Sequence, residues 1–252
     1  MEPTNHFAHH HTPRILLAIA DERLRRISET GLRASGFAVS APTDAVAAEI
    51  LTESFEPDVL VIDSTMLGSD GRALFTHLRD RTDRYLLCLD PAGRDRNRIE
   101  ALWAGADDAV SLPISADELA ARCHALLRRP RERQIIDDED APTVISIGPL
   151  TVDSGRHEIR LCGDEIPATR LEFALLEHLI RHPTEVASRA DLLEAVWGPD
   201  WVGDTHVVDV HLSNLRRKLD QAAPDLRVVH TVRGVGFRLG NDIVEPAIAL
   251  SA

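Results

Sequence analysis

The chain has 252 residues, 44% of them hydrophobic, and a formal net charge of −13. That length suits two cores of ordinary domain size, and no apolar run approaches the ~20 residues of a membrane helix. The N-terminal MEPTNHFAHHHTP has no apolar signal core, so the expected location is cytoplasmic with no membrane partner. Cys88, Cys123 and Cys162 stand far apart without CxxC spacing, a pattern of reduced thiols and not of a zinc or dithiol centre.

Residues 1–13 read as a disordered N-terminus, and His9, His10 and His11 as a solvated run and not a metal site. Residues 14–129 alternate apolar runs with amphipathic stretches, the runs being ILLAIA (15–20), DVLVID (58–63), YLLCLD (85–90) and DDAVSL (107–112). Continuous apolar strands separated by helices predict an α/β fold, a doubly wound parallel sheet covered on both faces. In such sheets the site lies at the carboxyl ends of the strands, which draws attention to Ile19, Ala20, Asp63, Asp90 and Leu112. Residues 130–143 are dense in charge with little to bury and read as a linker.

A second domain is expected over 144–240. Short alternating segments, ISIG, PLTVD, HEIRL and DEI, predict a small antiparallel sheet. Thr169-x-x-Glu172 is a capping-box pattern opening a helix, and a second helix follows Ser188 to about Trp197. Residues 241–252 read as a flexible tail.

The segment from Asp204 to Leu239 carries most of the functional information. In DTHVVDVHLSNLRRKL, Val208, Leu212, Leu215 and Leu219 form one helical stripe, and His206, Val210, Ser213, Asn214 and Arg217 fall opposite. A strand-turn-strand, RVVHTVRGVGFRL, follows with Arg233 at its tip. Short polar and cationic groups on the exposed face, beside a cationic hairpin, suit a DNA major groove and its flanking phosphates. The acidic average argues against a polyanion partner, but between Thr205 and Leu239 six cations face three carboxylates, a local excess of three. The rest of the chain should repel DNA and leave this patch to dock.

EFALLEHLI, SRADLLEAVWG, VDVHLSNLRRKL and TVRGVGFRL together resemble the effector domain of OmpR/PhoB-type response regulators, and residues 14–129 resemble that family's receiver domain. The resemblance implies a flavodoxin-like receiver followed by a winged helix-turn-helix, no enzymatic role of its own, and double-stranded DNA read as direct-repeat half-sites. It further implies a homodimer through the receiver, with RNA polymerase and a sensor histidine kinase as possible partners. Base contacts would fall on His206, Val210, Ser213 and Asn214, with Asn214 suited to adenine. Arg189, Trp197, Arg216 and Arg217 would serve the phosphate backbone, Arg233 the minor groove, and Lys218 and Thr231 would be further DNA contacts. Phe237 stands where a tyrosine is usual.

The receiver departs from the family. Asp63 matches the phosphoacceptor, but Ile19 and Ala20 stand at the acidic pair, Asp90 at the Ser/Thr, Leu112 at the lysine and Ala109 at the aromatic switch. A one-residue shift would bring in Asp21 and Glu22, but helix phase opposes it, because the shift buries Arg26 in place of Leu24. Mg²⁺ requires oxygen ligands, so its binding is expected to be lost or weak. A phosphoryl group ~4 Å from the Asp90 charge would meet a repulsion of ~4 kcal/mol at an effective dielectric of 20. Arg98, Asp108, Glu118 and Arg122 occupy positions that in the family form intermolecular salt bridges, while Ser115-x-x-Glu118 also reads as a capping box. Three readings follow: a DNA-binding regulator with a phosphate-independent receiver used for dimerisation or partner binding; a conventional regulator switched by phospho-Asp63; and a ligand sensor using the altered pocket of Ala20, Asp90 and Leu112.

Overall fold

The structure is a computed structural model that describes residues 12–43, 45–65, 76, 78–79, 82, 84–127, 143–199, 201 and 205–244. The expected histidine run, most of the linker and the tail beyond residue 244 lie outside the described residues.

The first domain runs β1 (Arg14–Ala18), α1 (Glu22–Ala34), β2 (Ala38–Ser40), α2 (Ala45–Ser54), β3 (Val59–Asp63), β4 (Tyr85–Asp90), α3 (Asp95–Trp103), β5 (Asp108–Ser111) and α4 (Ala116–Leu127). Its strands form one parallel sheet in the order β2-β1-β3-β4-β5. The apolar runs predict four of these strands. The fifth, β2, has only three residues and no long apolar run to announce it. Alternate side chains serve opposite faces: Ile15, Leu17, Val59, Val61, Leu87 and Leu89 pack with Leu32, Leu119 and Cys123 of α1 and α4. Leu16, Leu60, Ile62, Leu86 and Cys88 pack with Ala48, Leu51 and Ala101 of α2 and α3. Both faces are covered, as the unbroken apolar runs require.

The second domain begins with an antiparallel sheet of β6 (Val144–Ile147), β7 (Leu150–Asp153), β8 (Glu158–Leu161) and β9 (Asp164–Glu165). Three helices follow: α5 (Arg170–Arg181), α6 (Arg189–Trp197) and α7 (His206–Ala222). Thr169 and Ser188 cap the first two with complete capping boxes, satisfying backbone donors that a helix start leaves free. The wing, β11 (Val229–Val232) and β12 (Gly236–Leu239), pairs through β12 with β10 (Ala187–Ser188) just before α6.

One expectation needs correction. Asn241–Val244 form a helical turn instead of a free tail, and Ile243 is fully buried, so the second domain extends past residue 240. The wing glycines also have different tasks. Gly234, at φ +74°, makes the turn itself. Gly236 instead admits β10, because a Cβ there would lie 2.0 Å from the Ala187 carbonyl oxygen. Gly236→Ala is therefore expected to lower stability by about 1–3 kcal/mol, the usual cost of forcing atoms into packed space. Thermal unfolding checks this, and a wild-type melting temperature would contradict the packing.

Candidate nucleic-acid interface and receiver pocket

Two stripes of α7 are buried for different reasons. Val208, Leu212, Leu215 and Leu219 face the effector core at 1% exposure or less. Val207, Val210, His211 and Asn214 form a second buried stripe along one flank, where α7 packs against α3 of the first domain. Asn214 Nδ2 donates to the Leu102 carbonyl oxygen at 3.2 Å, and His211 Nε2 lies 3.3 Å from the Asp107 carbonyl oxygen. Because a carbonyl only accepts, Nε2 carries the proton of that contact. Val210 and Asn214, expected on an open reading face, are thus covered by the receiver; His206 and Arg217 remain exposed and Ser213 half-exposed.

Aromatic contacts extend the seam. Trp197 lies against His211 and Trp201, the Arg122 guanidinium sits 5.9 Å over the Trp201 ring, and Arg170 of α5 lies over Tyr85 of β4. Trp197 is 1% exposed, so its indole N–H, expected at a phosphate, is closed off. Among the described residues that N–H, the Trp201 N–H, Asn214 Oδ1 and Asp107 Oδ1 have no hydrogen-bond partner. Each such buried group costs roughly 1–3 kcal/mol, which opposes what apolar packing contributes to the seam.

The cations divide into positioning and free groups. Arg189 makes two hydrogen bonds to Asp209, at 2.9 and 2.7 Å. Arg216 donates to the Val229 carbonyl and to Thr231 Oγ1, and both arginines lie over the Phe237 ring. Lys218 Nζ is 2.6 Å from the buried Glu172 carboxylate, which also closes the α5 capping box. Arg189, Arg216, Lys218 and Thr231 therefore join α6, α7, α5 and the wing to one another. Arg217, Arg227 and Arg233 are exposed and leave their charge to solvent.

In the receiver pocket Asp63 is 2% exposed and accepts from Thr65 N, Thr65 Oγ1 and, at 3.4 Å, Ala20 N. Ile19 is fully buried among core residues and Ala20 is exposed. Asp21 caps α1 by accepting from Leu24 N at 2.7 Å, which supports the ungapped register. Asp90 accepts from Ala92 N, Arg94 N and Asn97 Nδ2, so its carboxylate is spent on the loop that starts α3. The repulsion expected between Asp90 and a phosphoryl group is softened by these three donors. The hydroxyl donor that the family pattern implies is still missing. Sequence reasoning missed Arg25, whose guanidinium donates to the Ile19 carbonyl beside the pocket; its helical phase from Asp21 is the one available signal. Among the described residues no cluster of His, Cys, Asp or Glu is suited to a metal ion. Burial pushes the Cys88 and Cys123 thiols far up, away from reactivity.

The expected dimer residues are engaged within the chain. Arg122 bonds Asp108 at 3.0 Å and Glu118 at 2.8 Å, and Glu118 N is capped by Ser115 Oγ. Burial raises the Asp108 carboxyl above the ordinary carboxylate range, against the pull of Arg122.

The fold agrees with the comparisons. A model described as "Response regulator receiver domain" matches residues 15–124, and one described as "Transcriptional regulatory protein, C terminal" matches 163–239. The transcriptional regulatory protein PrrA of Mycobacterium tuberculosis is 41% identical over 90% of this chain and 96% of its own length. The chain belongs to the OmpR/PhoB-type response regulators. The sensory transduction protein RegX3 of the same species is 36% identical over 82% of this chain and 90% of its own. A solved cysteine-to-serine mutant of RitR is similar in fold, with a TM-score of 0.69, 25% identity, and coverage of 90% and 99%. In this response regulator no helix among the described residues is long and apolar enough to cross a membrane.

Arg122→Ala is expected to cost about 3–5 kcal/mol near neutral pH by leaving Asp108 buried without its cation. Since a raised carboxyl takes up a proton as pH falls, the loss should shrink at pH 5 relative to pH 7.5. Denaturant unfolding at the two pH values checks this; an equal loss at both would contradict it.

Proposed function

We propose that this response regulator is a cytoplasmic, sequence-specific transcription regulator without catalytic activity whose receiver works without a phosphate switch. The carrying observation is the pocket around Asp63. Its family acidic-pair positions hold a buried isoleucine and an alanine, its Ser/Thr position holds an aspartate committed to three donors at the start of α3, and Leu112 replaces the lysine. The acidic-pair positions Ile19 and Ala20 offer Mg²⁺ no side-chain oxygen, Asp90 has its carboxylate already engaged, and Leu112 offers a phosphoryl group no cation.

Control then rests on the domain seam. A duplex entering beside α7 needs the flank that α3 covers, so DNA and receiver compete for Val210 and Asn214. In the DNA-bound form His206, Val210, Ser213 and Asn214 read bases, Arg217 and the freed Trp197 N–H meet phosphates, and Arg233 enters the minor groove. The Arg122, Asp108, Glu118 and Arg98 face is the receiver dimer surface of that open form, placing two effector domains on direct-repeat half-sites; RNA polymerase is a further partner. A sensor kinase has no role in this reading.

Two measurements test it. Incubation with Mg²⁺ and a small phosphodonor should add no phosphoryl mass; stoichiometric labelling lost in Asp63→Asn would establish the conventional phospho-switch instead. Selection from random DNA by the full-length protein without phosphodonor should return spaced half-sites, with affinity falling steeply between 50 and 200 mM salt as counterions are released, on the order of 10³-fold or more for six or more phosphate contacts. Absence of binding until phosphorylation would overturn the proposal.

A further inference from the structure

The seam is built around an imidazole. His211 is 1% exposed and sits at its centre, one turn from Asn214, with its Nε2 on the Asp107 carbonyl and its ring 5.8 Å from that of Trp197. We infer that His211 is a proton-sensitive latch: the neutral ring holds α7 against the receiver, and protonation of the ring releases the effector domain. This rests on the competition between DNA and receiver proposed above.

The surrounding groups decide the sign. From the receiver, Asp107 and Arg79 act on the ring, but they are occupied with each other through Arg79 Nη2 and Asp107 Oδ2 at 2.6 Å. Asp108 lies close enough to feel the ring and is paired with Arg122. From α5, Glu172 acts on it and is already held by Lys218. Every nearby carboxylate thus has its own cation, and none is left over for an imidazolium. Burial disfavours the charged ring and Arg79 adds to this, outweighing Asp107 and Glu172, so its pKa in the closed form lies below the ordinary 6.5. Released into water the ring regains its ordinary affinity for protons. The closed form therefore keeps its full advantage above about pH 6.5. Below that it loses up to about tenfold in the closed-to-open ratio per pH unit, until the pH reaches the closed-form pKa. The unmatched indole N–H groups, Asn214 Oδ1 and Asp107 Oδ1 work in the same direction, since each is a cost of the closed form.

The test reads molecular shape, which reports the state of the seam directly. Small-angle scattering of the full-length protein without DNA, from pH 8 to 5.5, should show a compact form giving way to an extended one below about pH 6.5. His211→Gln, whose amide can still donate to the Asp107 carbonyl but does not titrate, should remain compact throughout. Asn214→Arg, which places a charge in the seam, should be extended at every pH. A wild type that stays compact to pH 5.5 while Asn214→Arg is extended would overturn the latch and leave the seam standing. Opening of His211→Gln in parallel with the wild type would also overturn it. A wild type already extended at pH 8, and indistinguishable from Asn214→Arg, would overturn the seam itself.

Discussion

The contact on which the rest depends is the pair of hydrogen bonds from α7 to the receiver backbone, Asn214 to the Leu102 carbonyl and His211 to the Asp107 carbonyl. They convert two domains on a chain into one closed molecule with a covered reading helix. The seam combines apolar burial with polar atoms left unmatched, and those terms oppose each other at a few kcal/mol apiece. A contact balanced in this way suits a switch, because a modest change on either side moves the population.

The receiver changes meaning in that light. Its parallel sheet and its Asp63 keep the family architecture, while in the proposed reading the groups that would stabilise a phosphoryl charge are replaced. Asp90 shows how this is accommodated. A carboxylate in place of a hydroxyl would be costly beside Asp63 if it were bare, and here two loop N–H groups and the Asn97 amide of α3 hold it. The effector domain is held at Leu102, Asp107 and Arg122 of the receiver.

Much of this is legible in the sequence because it follows from local periodicity and capping. The four apolar runs become strands, Thr169 and Ser188 cap the helices expected after them, and the stripe from Val208 to Leu219 faces the core. What is not legible depends on partners distant in the chain. Asn214 reads as an exposed base contact because helical phase places it opposite the effector core; only the receiver, 112 residues upstream at Leu102, buries it. Lys218 and Arg216 likewise read as DNA contacts because a cation on a helix has no visible partner until Glu172 and the wing are folded against it. Ile243 reads as tail because one apolar residue has no periodicity.

The most direct test of the closed molecule is a tether. Cysteines replacing Leu102 and Asn214, in a protein whose exposed Cys162 is changed to serine, would be joined across the seam and DNA binding measured before and after reduction. The account predicts that the joined protein fails to bind DNA and that reduction restores binding. Equal binding by the joined and reduced forms would contradict it.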